Sequence, residues 1–321
     1  MTFRYSSGLW VFAQSAEKFG GYTSTNPVLD QIKMAASVPG LKGLELISPL
    51  HVTRENAHEV KGWLQDCDLQ PVSVNPYVWT EPTWIQGAFT SPDPKVRQQA
   101  IDRGKEAIEI GHILGTRQMC LWPGEDGWDY HFQSDYRRLW ELEADGVRQL
   151  AEFDPETRIG VEYKLHEPRT HMLVSSAAKA ALLGCTLGLP NVGGYLDFGH
   201  ALMAREQPAE SVVLLTRLDR LVGVHVNDNY GMGDDDIVVG SVHLWEMVEF
   251  LLTLDEVGYS GWLTLDLVPK REPVVEACSQ SIRALETYAR LIGRLDRAAL
   301  REAQDGRDAL AVQRLIHSAL A

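Results

Sequence analysis

A chain of 321 residues, 45% of them apolar, can bury a sizeable core; length alone allows two domains, but α/β barrels of this size are commonly one. The formal net charge of −14, with no Lys/Arg-rich run, opposes nucleic acid or an acidic membrane as a partner. The four cysteines, Cys67, Cys120, Cys185 and Cys278, are scattered without a CxxC pair, which points to reduced thiols and away from zinc held by thiolates.

The opening MTFRYSSGLWVFAQ carries no basic segment followed by a long apolar core and a small-residue cleavage site, and no later apolar run has membrane length. A soluble, cytoplasmic protein is expected. Short β-rich runs then recur, each closed by polar or Gly/Pro residues and followed by a stretch with helical spacing of apolar positions. Strands are expected at Ser7–Phe12, Gly43–Ile47, Pro71–Asn75, Gln118–Trp122, Ile159–Glu162, Gly194–Asp197, Val222–Val226 and Trp262–Leu267. Helical patterns lie between them, among them Pro94–Leu114, Tyr136–Phe153 and Ser241–Leu254. Eight βα units in this length fit a closed (β/α)8 barrel better than an open sheet, and no GxGxxG follows the first strand. The fold expected is a single α/β TIM barrel over residues 1–292, with residues 293–321 a C-terminal helical extension that contributes no strand.

In such a barrel the chemistry sits at the C-terminal ends of the strands. Strand five ends in Glu162, with Lys164 just beyond, and strand six in GYLDFGH, which supplies Asp197 and His200. Strand seven ends in GVHVNDNYGMGDDD, with His225, Asp228 and Asp234 to Asp236, and strand eight in LTLDLVPKR, with Asp266. Carboxylates gathered on one face repel one another and lose hydration, a cost that a divalent cation removes. Carboxylate and imidazole donors without thiolate favour Mg²⁺ or Mn²⁺, with Co²⁺ able to substitute. Any one of these acids alone reads more simply as a helix cap or a surface ion pair, and the Asp234–Asp236 triplet as a solvated loop. Four consecutive strands ending this way shift the balance. Lys164 could equally be an ion-pair partner of Glu167.

At these residues the chain resembles the xylose isomerase superfamily of TIM-barrel sugar isomerases, from about Phe3 to beyond Arg271. SGLW, PYVWTEPTWIQGAFTSPDPKVR, LWPGEDG, VEYKLHEPR, DFGH and LDLVPKR look like that family's successive strand-end motifs. HVNDNYGMGDDD is more like the strand-seven motif of the L-rhamnose isomerase branch. The resemblance implies a first metal on Glu162, Asp197, His225 and Asp266, and a second on His200, Asp234 and Asp236, two ions per subunit. It implies catalytic roles for Lys164, Glu162, Asp266 and His200, with Lys164 touching the substrate's carbonyl-end oxygen and Glu167 and Arg169 behind it. Trp10, Trp79 and Trp122 would wall the sugar, although aromatics also bury well as plain core. Phe19, in EKFGG, matches a phenylalanine that a neighbouring subunit inserts, which implies a homodimer or homotetramer; a loop Phe covering its own core is the competing view. Where xylose isomerase has His and Asp after strand two, this chain has Ile47 and Ser48, with His51 out of register, which puts ring opening in doubt. The activity implied is metal-dependent aldose–ketose isomerisation of a small non-phosphorylated sugar, by hydride shift or through an enediol. The alternative is a ketose 3-epimerase type of carbohydrate epimerase, or a lyase on an oxidised sugar.

Overall fold

The computed structural model describes residues 3–13 and 25–320. Eight strands, β1 (Arg4–Gly8), β2 (Leu41–Ser48), β3 (Gln70–Pro76), β4 (Gln118–Leu121), β5 (Arg158–Glu162), β6 (Val192–Asp197), β7 (Leu221–Val226) and β8 (Trp262–Leu265), form one sheet. Its order is β3-β2-β1-β8-β7-β6-β5-β4, parallel at every pairing. At the closing seam β4 meets β3 through side chains: Asn75 Oδ1 accepts from the Cys120 amide at 2.9 Å, and Thr116 Oγ1 donates to the Val72 carbonyl at 2.5 Å. Strands buried on both faces carry continuous apolar runs, as in LVGVHV of β7, all six residues of which are buried.

Helices α1 (Val28–Ala36), α2 (Ala57–Asp66), α3 (Pro94–Leu114), α4 (Tyr136–Phe153), α5 (Ala177–Leu187), α6 (Phe198–Met203), α7 (Pro208–Arg217), α8 (Leu244–Glu256) and α9 (Val274–Gly293) surround the sheet. The α3 and α4 bounds match the helical patterns read from the sequence, because the local signals are strong. Asp93 and Asp135 cap the two helices by accepting from the amides of Lys95 and Arg137, and α3 ends at Gly115 in the left-handed region, φ 105°. Two further helices, α10 (Arg297–Asp305) and α11 (Ala309–Leu320), form the C-terminal arm, whose Leu300 and Ala319 are buried. No helix among the described residues is long and apolar enough to cross a membrane.

The first strand differs from the expectation of Ser7–Phe12: β1 is Arg4–Gly8, and LWVFA is a 3₁₀ turn, Leu9–Ala13, that buries Leu9, Val11 and Phe12. The strand stops at Gly8 because the Trp10 ring folds back over it; a Cβ there would lie 2.2 Å from the indole. That turn aims Trp10 at the barrel mouth. Over the same mouth, the loops after β4 and β5 join in a small antiparallel sheet of Gly127–Trp128, Thr170–Met172 and His166–Glu167.

Candidate metal centre and active site

Glu162, Asp197, His225 and Asp266 come from the ends of β5, β6 and β7 and from just after β8, and each offers one donor atom within 4.8 Å of the others. His225 Nδ1 lies 3.1 Å from Glu162 Oε1, 3.4 Å from Asp266 Oδ2 and 4.0 Å from Asp197 Oδ2. Burial is nearly complete: Glu162 is 5% exposed, His225 1% and Asp197 0%. Three carboxylates so placed strain one another's ionisation. Burial, opposed by His225, pushes Asp266 up to about 7, and burial also raises Asp197. Glu162 goes the other way, below the usual range despite burial, because the His225 imidazole faces it and is held protonated well above its ordinary pH by Glu162 and Glu45. A donor set of three acids and one imidazole, of which Asp266 alone keeps its side chain partly exposed at 18%, fits a hard divalent cation.

His200, Asp234 and Asp236 do not converge as a further set. His200 Nε2 lies 3.2 Å from Asp234 Oδ2, and the same oxygen is 2.6 Å from the Lys164 ammonium. Lys164 is also bonded to Glu167 and lies 5.3 Å over the Trp122 ring. Although burial works against its charge, Asp234 and Glu167 hold it protonated far above the usual lysine range. His200 is raised to about 9, against burial, by Asp197 and Asp234. Asp236 is held well above the carboxylate range by burial and by Asp234 and Asp266; its Oδ1 accepts from Asn227 Nδ2, which also donates to Asp197.

The three tryptophans stand at the same mouth. Trp10 donates its indole N–H to Asp266 Oδ1 at 2.7 Å and so positions a candidate ligand. Trp79 and Trp122 meet edge to face with centroids 4.9 Å apart, and the Trp122 N–H is buried without a partner, free to donate to a substrate oxygen. Phe19 lies outside the described residues. Arg169 does not stand behind Lys164: its side chain is 71% exposed and is bonded to Asp129. His51 is structural, its Nδ1 accepting from the Ile47 amide at 3.0 Å, and burial pushes it down to about 3. Asp228 and Asp235 build the loop after β7, Asp228 by accepting from the amides of Asn229, Val242 and His243 and Asp235 from that of Tyr230.

Two acids escaped the sequence reading. Glu45, in the middle of β2, is wholly buried and contacts His225 Nε2 at 3.3 Å. Asp126, of LWPGEDG, accepts from the amides of Ala88, Phe89 and Thr90 and the Thr90 hydroxyl, and so pins the GAFTS loop beside the mouth. An acid inside an otherwise apolar strand is the signal that marks Glu45. A cleft of about 850 Å³, lined in part by Trp128, Arg97, Arg138 and the same Glu167 that holds Lys164, includes none of the four candidate ligands.

A family profile described as xylose isomerase-like TIM barrel matches residues 32–288. The xylose isomerase of Thermus thermophilus is 26% identical over 204 residues, 62% of this chain and 53% of that protein. A protein named probable sugar isomerase from Rhizobium meliloti is 28% identical over 246 residues, 73% of this chain and 55% of its own length. The chain thus spans about half the length of these curated relatives. Among solved structures, a D-tagatose 3-epimerase-like protein superposes with a TM-score of 0.71 at 19% identity, covering 91% of this chain and 98% of that one. With a profile match over most of its length and a barrel of the same architecture, the chain belongs to the xylose isomerase-like TIM barrel family.

Proposed function

We propose that this protein is a divalent-metal-dependent sugar isomerase that interconverts aldose and ketose by proton transfer through an enediol, with one ion rather than two. The observation that carries the reading is the four-residue set Glu162, Asp197, His225 and Asp266, beside a lysine ammonium on Asp234; the other convergent group, Glu45, Cys120 and His225, shares the same imidazole and relies on a thiol that burial keeps protonated. Those four residues would hold the ion, whose Lewis acidity, when bound, would polarise the sugar's carbonyl and acidify the neighbouring hydroxyl. Glu162 and Asp266 are the carboxylates placed to carry the substrate's proton, and Trp10 holds Asp266 in position. Lys164, kept cationic by Asp234 and Glu167, offers a fixed positive charge to oxygen that becomes anionic as the proton leaves. Trp79 and Trp122 supply an apolar wall that excludes water, and the free Trp122 N–H a donor. Mg²⁺ or Mn²⁺ suits the donor set, and a small non-phosphorylated sugar suits a mouth of tryptophans and acids.

Epimerisation beside a keto group is the second reading, and the same ligand set favours it too, since removing the proton from C3 of a ketose rather than from C1 gives a 2,3-enediol whose reprotonation on the other face yields the epimer. The test is a panel of aldoses and ketoses incubated with Mn²⁺ in D₂O and followed by NMR. Product carrying solvent deuterium beside the carbonyl, abolished by a chelator, is the expected result. Conversion without deuterium would point back to a hydride shift, and conversion that survives chelation would remove the metal from the scheme. Appearance of an epimeric ketose without aldose selects the second reading.

A further inference from the structure

We propose that Glu45 is a positioning residue that fixes the tautomer and plane of His225, leaving Nδ1 bare to face a divalent cation held with Glu162, Asp197 and Asp266. The inference rests on the metal-centre reading above. Glu45 Oε2 lies 3.3 Å from His225 Nε2, while Nδ1 lies 3.1 Å from Glu162 Oε1 and 3.4 Å from Asp266 Oδ2. A neutral imidazole has one N–H and one lone pair, and an ionised carboxylate only accepts. Without an ion, Glu162 and Glu45 face one ring nitrogen each and both can accept a proton from it; with an ion held beside Glu162 and Asp266, Nδ1 would have to give its proton up, and the one that stays would be on Nε2, where Glu45 accepts it.

Glu45 is itself held so that it stays an acceptor. Its Oε1 takes bonds from the Tyr195 hydroxyl and from Thr264 Oγ1 at 3.0 Å, and its Oε2 takes one from Asn75 Nδ2 at 3.1 Å. These donors come from β6, β8 and β3 and converge on one carboxylate of β2 at the barrel axis. Tyr195 reaches it because two strands give way: a Cβ on Gly160 would lie 2.8 Å from the Tyr195 ring and one on Gly223 2.3 Å from it. The His225 ring also packs against Tyr195, centroids 4.6 Å apart, and meets Trp10 edge to face at 6.2 Å. Barrel interiors are ordinarily filled by layers of branched aliphatics. A carboxylate here costs desolvation, and three donors, from Tyr195, Thr264 and Asn75, are assembled to hold it where one imidazole nitrogen ends. Such an outer partner of a metal-binding histidine typically governs its orientation and basicity.

The experiment compares the full chain with Glu45→Gln. A carboxamide of the same shape can turn its NH₂ toward His225 Nε2 and favour the opposite tautomer. Mn²⁺ affinity measured by calorimetry on the metal-free proteins should fall about 10–100-fold in the variant. A role in packing alone would lower the melting temperature and leave the affinity of the folded variant unchanged, which would overturn the proposal. Should the variant fail to fold, ¹⁵N NMR of the His225 ring in the Mg²⁺-loaded native protein decides the matter: a proton on Nε2 with Nδ1 bare supports it, and a proton on Nδ1 overturns it. Failure of the native protein to bind Mn²⁺ at all sinks the metal-centre reading, whereas equal binding by both proteins sinks only the role of Glu45.

Discussion

Glu45 and Glu143 are both wholly buried glutamates, one at the barrel axis and the other on α4, and they differ in everything but exposure. Glu45 meets Tyr195, Thr264, Asn75 and His225; despite its burial, His225 and these bonds hold it down to about 2. Both carboxyl oxygens of Glu143 lack a hydrogen-bond partner, and burial, with the charge of Asp126 added, raises it well above the carboxylate range. Depth alone therefore says nothing about whether a buried acid is ionised. What decides is whether the fold supplies enough donors to replace water.

Glu45→Leu is the most damaging way to break that contrast. It removes the acceptor and leaves the His225 N–H, two hydroxyls and an amide facing an apolar side chain, a loss of about 3–5 kcal/mol for a broken buried charge pair. Urea unfolding at pH 7 measures it; a loss below about 1 kcal/mol would mean that the interior polar network adds nothing to stability.

Glu143→Met has the opposite sign. An apolar group of similar length replaces a carboxyl without partners, so the variant should be more stable at pH 7 by about 1–3 kcal/mol. The pH dependence follows from the raised value. The folded protein keeps this proton when the unfolded chain, with an ordinary value of 4.5, has lost it. Native stability therefore erodes as pH rises above about 4.5, and the advantage of the variant should grow over that range and be smallest below it. Unfolding curves of both proteins at pH 4 and pH 7 check it; an advantage that shrinks on raising the pH would contradict the assignment.

The sequence carried the barrel because its signals are local and repeated: apolar runs of strand length, Asp93 and Asp135 at helix starts, Gly115 at a helix end. It misled at LWVFA, whose apolar residues suit a strand as well as a 3₁₀ turn; the deciding contact is Trp10 on Gly8. Glu162, Asp197, His225 and Asp266 stood among a longer list of polar residues at strand ends, and the family resemblance singled them out as one set. Glu45 could not be given its role, because its partners Asn75, Tyr195, His225 and Thr264 stand 30 to 219 residues away and only barrel closure gathers them. The same closure puts Lys164 against Asp234, and spacing along the chain carries no trace of it.

Glu81 extends the comparison to a carboxylate with partners but with water at hand. Its Oε2 accepts from Arg103 at 2.7 Å and from the Trp84 indole at 2.9 Å, yet its side chain is 37% exposed. Water can replace either donor here, so the donors count for less than those around Glu45. Glu81→Gln keeps an acceptor for Trp84 and removes only the charge opposite Arg103, which also retains its bond to the Tyr77 carbonyl at 2.6 Å. The expected loss is about 0.2–1 kcal/mol, smaller in 1 M salt than in 0.05 M, where screening is roughly four- to fivefold weaker. Thermal unfolding at the two salt concentrations reads it directly. A loss as large as that of Glu45→Leu would show that the number of donors, rather than the exclusion of water around them, sets what a carboxylate contributes.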